Sequence, residues 1–147
     1  MLQSELKLRR DKIRALMAGQ KIDAALFTCN VNLIYTYGRV ISGYLYLPLE
    51  GPAHIFIKRP NNVSGEFVHP IRKPEQLPDL LKEYGLAIPA RLMLEGDELP
   101  FNEYTRLAAC FPDTEILPCG TSLIRRARSV KTEMELGLFR RSAAAHA

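Results

Sequence analysis

The sequence predicts an α/β fold, a three-layer sandwich in which a mixed, mainly parallel sheet of about five or six strands is flanked by helices. Three observations predict it. Apolar runs of strand length alternate with amphipathic stretches of helical spacing, the pattern of a sheet covered on both faces. Two of the apolar runs are joined by turn residues, which requires at least one antiparallel pair. The 147 residues fit one domain, long enough to bury a sizeable core.

Ser4 is positioned to cap a first helix running to about Ala18, with Glu5 in its first turn and Gly19 at its C-terminal cap. Leu6, Ile13, Leu16 and Met17 fall on one side of that helix. The run Asp23 to Thr28 is read as a buried strand. Asn30 or Asn32 starts a short helix through Tyr37, which Gly38 breaks. Tyr44 to Leu47 and His54 to Lys58 form a hairpin around the turn Glu50-Gly51-Pro52.

Arg59 to Gly65 reads as a loop. Phe67 to Ile71 is a short strand whose internal Pro70 assigns it to a sheet edge or a strand end. Pro74 to Tyr84 is a helix with Pro78 in its first turn and Gly85 closing it. Arg91 to Glu95 is a buried strand. Phe101 to Phe111 is a helix stopped by Pro112, Thr114 to Leu117 a last strand, and Ser122 to Ala127 a short helix or turn. Thr132 and Glu135 make a capping box that opens a further helix still running at Ala147. The expected organisation is therefore residues 1–130 as one domain and residues 131–147 as the first helix of a second, truncated one.

Composition narrows the function. No segment approaches the ~18 consecutive apolar residues of a membrane helix. The start, with Glu5 and no apolar run, is not a secretory signal, so the expected compartment is the cytoplasm, with no membrane partner. Net charge is +4, and the basic clusters Lys7 to Arg14 and Arg125 to Lys131 lack interleaved aromatics, so no nucleic-acid partner is expected. Cys29, Cys110 and Cys119 are odd in number and form no CxxC pair, which argues against a disulfide framework or a thiolate zinc site. Cys29 reads as a small buried hydrophobe. Asn62-Val63-Ser64 fits the glycosylation sequon, a chance match in a chain with no signal.

Little in the sequence carries chemistry. His54, His69 and His146 have no ligand spacing and read as structural or surface residues. No nucleophile elbow, dinucleotide loop or P-loop occurs. Glu95, Asp97 and Glu98 bring three carboxylates together, but before the Phe101 helix they read as residues that suit its N-terminus. Catalytic and metal-ligating residues are expected to be none. The segment Gly38 to Tyr44 is the most suggestive loop: flanked by glycines, it can present Arg39 and Tyr44 to a ligand, and arginine suits a carboxylate. On composition alone it reads as an ordinary connection.

Two stretches resemble a known family. Leu8-Arg9-Arg10 through Ile22-Asp23-Ala24-Ala25-Leu26, then Asn32-Leu33-Ile34-Tyr35-Thr36-Tyr37-Gly38, resembles the opening of N-terminal domains in the creatinase/prolidase/Xaa-Pro aminopeptidase (pita-bread metallopeptidase) superfamily. Leu123-Ile124-Arg125-Arg126-Ala127-Arg128-Ser129-Val130-Lys131-Thr132-Glu133-Met134-Glu135-Leu136 is similar to its interdomain signature. Arg39 stands where an aromatic is usual, and Val40 to Tyr46 departs from the common pattern.

The resemblance implies a creatinase N-terminal-domain-like fold with a ribonuclease H-like motif. It implies a non-catalytic domain of an Xaa-Pro dipeptidase or aminopeptidase, which shapes the substrate site and supports a homodimer. The partners implied are the chain's own C-terminal catalytic domain and, in the parent enzyme, a proline-containing peptide. The parent would hold two divalent metal ions (manganese, cobalt or zinc) on ligands beyond Ala147, with none in this chain. Tyr37, Arg39 and Tyr44 are the implied substrate-binding residues, acting in the site of their own or of the partner subunit. The alternatives are the N-terminal domain of a creatinase-like amidinohydrolase and a non-enzymatic protein-binding module.

Overall fold

The structure, a computed structural model, describes residues 2–58 and 65–129. In chain order its elements are α1 (Leu2–Gly19), β1 (Ala24–Phe27), α2 (Asn30–Tyr37), β2 (Gly43–Pro48), β3 (His54–Ile57) and β4 (Val68–Pro70). A 3-10 turn at Pro74–Gln76 leads into α3 (Leu77–Glu83), followed by β5 (Arg91–Met93), α4 (Phe101–Ala109), β6 (Glu115–Leu117) and α5 (Gly120–Ser129). The expected loop Arg59 to Gly65 falls mostly outside the described residues. The sequon, the Thr132–Glu135 capping box and its helix, and His146 lie wholly outside them.

The strands form one six-stranded sheet in the order β4-β3-β2-β1-β5-β6. The ladders β1–β5, β3–β4 and β5–β6 are parallel, and β1–β2 and β2–β3 antiparallel. The mixed, mainly parallel α/β sandwich is thus the observed fold. The β2–β3 hairpin pairs Leu45 with Ile55 and Tyr46 with His54.

The inner strands are apolar at nearly every position, His54 and Arg91 at the starts of β3 and β5 being exceptions, because both faces are covered. Successive side chains point to opposite faces. Ala25, Phe27, Leu45, Leu47 and Ile55 face one side, where they pack with Ile13 and Met17 of α1, Leu33 of α2 and Leu123 and Ile124 of α5. Ala24, Leu26, Tyr44, Tyr46 and Phe56 face the other, with Leu77 and Leu81 of α3 and Leu107 of α4. Pro70 sits on the edge strand β4, opposite Ile57, where its missing N–H costs no ladder bond.

Three local details differ from the sequence reading. Helix α1 already includes Leu2, so Ser4 lies within its first turn rather than at the cap. It also runs through Gly19, and the left-handed residue that turns the chain toward β1 is Lys21, at φ 58°. Helix α5 is longer than the Ser122 to Ala127 segment, since the Gly120 N–H is held by the Leu94 carbonyl and that of Thr121 by Asp97.

Candidate functional site

The loop at residues 38–42 leaves the C-terminus of α2 and is fixed at both ends. Gly38 takes the left-handed conformation, φ 85°, and its N–H returns to the carbonyls of Leu33 and Ile34. At the far end Gly43 lies so close to β3 that a Cβ there would sit 1.9 Å from the Phe56 carbonyl oxygen. Thr28 Oγ1 donates to the Gly43 carbonyl at 2.7 Å, and the Lys58 N–H to that of Ser42, also at 2.7 Å. Ile41 is buried in the core, which leaves Arg39 and Val40 exposed at the tip.

Two arginines of α1 hold the end of α2. The last carbonyls of a helix have no partner within it. Arg10 donates to the Thr36 carbonyl at 2.8 Å and Arg9 to that of Tyr35 at 3.4 Å. The Arg9 guanidinium also lies 5.0 Å from the centre of the Tyr35 ring, a cation–π contact.

The structure does not gather Tyr37, Arg39 and Tyr44 into one pocket. Tyr37 is half-buried against the α1 side of the sheet. Burial raises its phenol pKa, against the pull of the nearby Arg39. Tyr44 is buried on the opposite face of the sheet, with Lys58 Nζ 4.9 Å from its ring centre. It borders a cavity of about 230 Å³ together with Thr28, Ser42, Lys58, Glu103 and Arg106.

The buried polar centre is one that local sequence reading missed. Glu95, fully buried beyond β5, turns under the start of α2. Its carboxylate accepts the Thr28 N–H at 2.7 Å, the Cys29 N–H at 3.1 Å and Asn32 Nδ2 at 2.6 Å. Burial raises its pKa, while the donors of Asn32, Thr28 and Cys29 act in the opposite direction. Asp97 accepts the N–H groups of Thr121 and Ser122 and caps α5. Burial opposes the ionised form of Asp97, yet the Ser122 and Thr121 donors hold its pKa below the usual value. These acids therefore serve α2 and α5, not the Phe101 helix. The signal was present in Glu95 itself, an acid directly after the buried run Leu92-Met93-Leu94.

This centre is not built for nucleophilic chemistry. Burial and then the Glu95 charge push the Cys29 thiol up to about 12. Burial also raises the thiols of Cys110 and Cys119. His54 and His69 are both buried, with Nδ1 of one 3.0 Å from Nε2 of the other. Among the described residues no three His, Cys, Asp or Glu side chains gather as a metal site, so the residues present do not fit the metal pair implied for the parent. No helix among them is long and apolar enough to cross a membrane.

The profile of the Creatinase/Prolidase N-terminal domain family matches residues 9–130. No curated protein sequence matches the chain. Among solved structures, an Xaa-Pro dipeptidase from Bacillus anthracis superposes with a TM-score of 0.69 at 18% identity, over 90% of this chain and 38% of that one. The N-terminal domain of the cytoplasmic peptidase PepQ from Mycobacterium tuberculosis H37Rv gives 0.63 at 19% identity, over 82% of this chain and 98% of that one. The prolidase from Pyrococcus horikoshii OT3 gives 0.63 at 23% identity, over 88% of this chain and 37% of that one. The chain thus spans well under half of the dipeptidase and prolidase chains and nearly all of the PepQ N-terminal domain.

Proposed function

The chain belongs to the creatinase/prolidase N-terminal domain family, and we propose that it is the non-catalytic N-terminal domain of an Xaa-Pro dipeptidase or aminopeptidase. Its role is to dock its own C-terminal catalytic domain, to support a homodimer and to lend a loop to the peptide-binding site. The metal ions and the hydrolytic step belong to the part of the parent enzyme beyond Ala147, in a protein of the cytoplasm.

One observation carries the loop assignment. Residues 38–42 are pinned by Gly38, Ile41 and Gly43, while Arg39 stands out exposed between them. A rigid base with one exposed guanidinium is suited to reach into a neighbouring site and grip a carboxylate. Arg39 is the peptide contact in this reading, with Tyr37 and Tyr44 flanking it on the two sides of the sheet.

The test uses the two-domain protein. Arg39→Ala is expected to raise KM for an Xaa-Pro dipeptide severalfold while metal content and dimer mass are unchanged. Unaltered kinetics would remove Arg39 and its loop from the substrate site. Absence of any Xaa-Pro hydrolysis by the metal-loaded wild type would remove the peptidase assignment itself.

A further inference from the structure

A groove of about 600 Å³ runs between α1 and the β3–β4 side of the sheet. One wall is the α1 face carrying Lys7, Arg10 and Arg14, spaced three and four apart and hence on one side of the helix. The facing wall is largely apolar, formed by Ile55, Phe67 and Val68. Tyr37 also lines it.

The cations in this groove are not equivalent. Arg14 is committed: it donates to the Pro48 and Gly51 carbonyls and to Asp11. Lys7 also bonds Asp11, at 2.9 Å. Arg10 is different. It is half-buried, it spends one N–H on Thr36, and among the described residues no carboxylate pairs with it. Asp11 is already held by its two other partners, and Glu66 on the facing wall is exposed. Burial, and then the Arg14 charge, lower the Arg10 pKa, with Asp11 opposing. A guanidinium with five donors, one of them used, beside a second cation is a position that an oxyanion would satisfy.

We propose that this groove binds a small organic oxyanion, a carboxylate or phosphate carried on an apolar body. The charged group sits on Arg10 with Lys7 beside it, and the body lies against Ile55, Phe67 and Val68. The groove shares Tyr37 with the surroundings of Arg39 but does not include Arg39 itself, and it does not depend on the peptidase assignment. Because Arg10 also holds the Thr36 carbonyl, an anion here engages the same side chain that fixes the end of α2.

The experiment is a titration of the 147-residue chain, followed by backbone amide shifts. The probes are phenylacetate, phenyl phosphate, inorganic phosphate and, as the neutral control, benzyl alcohol. Saturable shifts in α1 and at Phe67 and Val68 are expected with the organic anions, and a weaker response with inorganic phosphate. Whichever of phenylacetate and phenyl phosphate binds more tightly names the headgroup. Arg10→Gln should weaken binding about tenfold, the size of a lost charge-assisted pair. Lys7→Gln, an exposed change that leaves the fold intact, should weaken it severalfold. Organic anions binding no better than benzyl alcohol would overturn the site, as would affinity unchanged in Lys7→Gln and in a folded Arg10→Gln.

Discussion

Asn32 and Glu95, 63 residues apart in sequence, meet at 2.6 Å beneath the first turn of α2. Both are buried, at 1% and 0% exposure. The same Asn32 amide nitrogen donates to Thr121 Oγ1 at 3.0 Å. One side chain therefore joins α2, the end of β5 and the start of α5. Because α2 delivers the 38–42 loop, this pair fixes the start of α5 relative to the helix that carries that loop.

Glu95→Gln tests the pair directly. Every group facing the carboxylate is a donor: the N–H of Thr28, the N–H of Cys29 and Asn32 Nδ2. A glutamine NH2 would point a donor at donors. Loss of stability by about 1–3 kcal/mol is expected, the cost of leaving buried polar groups unsatisfied. Urea unfolding with an unchanged m-value measures it. A midpoint equal to wild type would show that the pair does not hold the domain together.

Much of the fold was legible in sequence because the inner strands are buried on both faces, so Asp23 to Thr28 and Arg91 to Glu95 read as continuous apolar runs. Pro70 announced an edge strand and Gly38 a helix end for equally local reasons. What was illegible is non-local. Asp97 looked like a companion of the Phe101 helix, its neighbour in sequence, but its partners are Thr121 and Ser122. Tyr37 and Tyr44 looked like two sides of one loop, yet a helix on one face and an even position in β2 send them to opposite sides of the sheet. Gly19 looked like the left-handed cap of α1, a role that Lys21 takes.

Lys21 and Gly19 give a prediction of increased stability. Lys21 pays a steric penalty at φ 58° that glycine does not. Gly19, inside α1, has open space where a Cβ would go. Lys21→Gly and Gly19→Ala should each raise stability by about 0.5–1 kcal/mol, visible as a higher Tm. A lower Tm for Gly19→Ala would show that the helix ends before it.

Gly43→Ala should do the reverse. The added methyl would meet the Phe56 carbonyl at 1.9 Å, and backbone cannot step aside as a side chain does. Destabilisation of at least about 2 kcal/mol is expected, with broadened amide signals for residues 38–42, since Gly43 is the fixed end of that loop. A variant with wild-type stability and loop spectra would show that the β2–β3 spacing is loose.

Cys29 should resist alkylation. With its thiol pushed up to about 12, the thiolate fraction at pH 8 is small, and the thiolate is the reacting form. Iodoacetamide modification of the native chain, followed by mass spectrometry, should be at least about tenfold slower at Cys29 than at a free cysteine. Rapid labelling of Cys29 would show that the Glu95 centre opens readily.

The imidazoles of His54 and His69 should make stability fall as pH drops below neutral. Their nitrogens are 3.0 Å apart, so only one proton fits between them. His69 stacks on Tyr84 at 3.7 Å between ring centres, and His54 meets the Phe67 ring. Burial lowers both pKa values, helped at His54 by the His69 charge and opposed at His69 by Glu83. A histidine with a depressed folded pKa gives stability that is present above the unfolded value of about 6.5 and lost as pH falls toward the folded one. The slope is at most about 1.4 kcal/mol per pH unit for each proton. Glu95, whose pKa burial raises, contributes with the opposite sign, so the informative quantity is the difference between variants at each pH. His54→Gln keeps a hydrogen-bonding side chain beside His69 but removes one titrating ring. Its urea midpoint should fall less steeply than wild type between pH 7 and 5, and parallel pH profiles would show that the histidine pair carries no proton linkage.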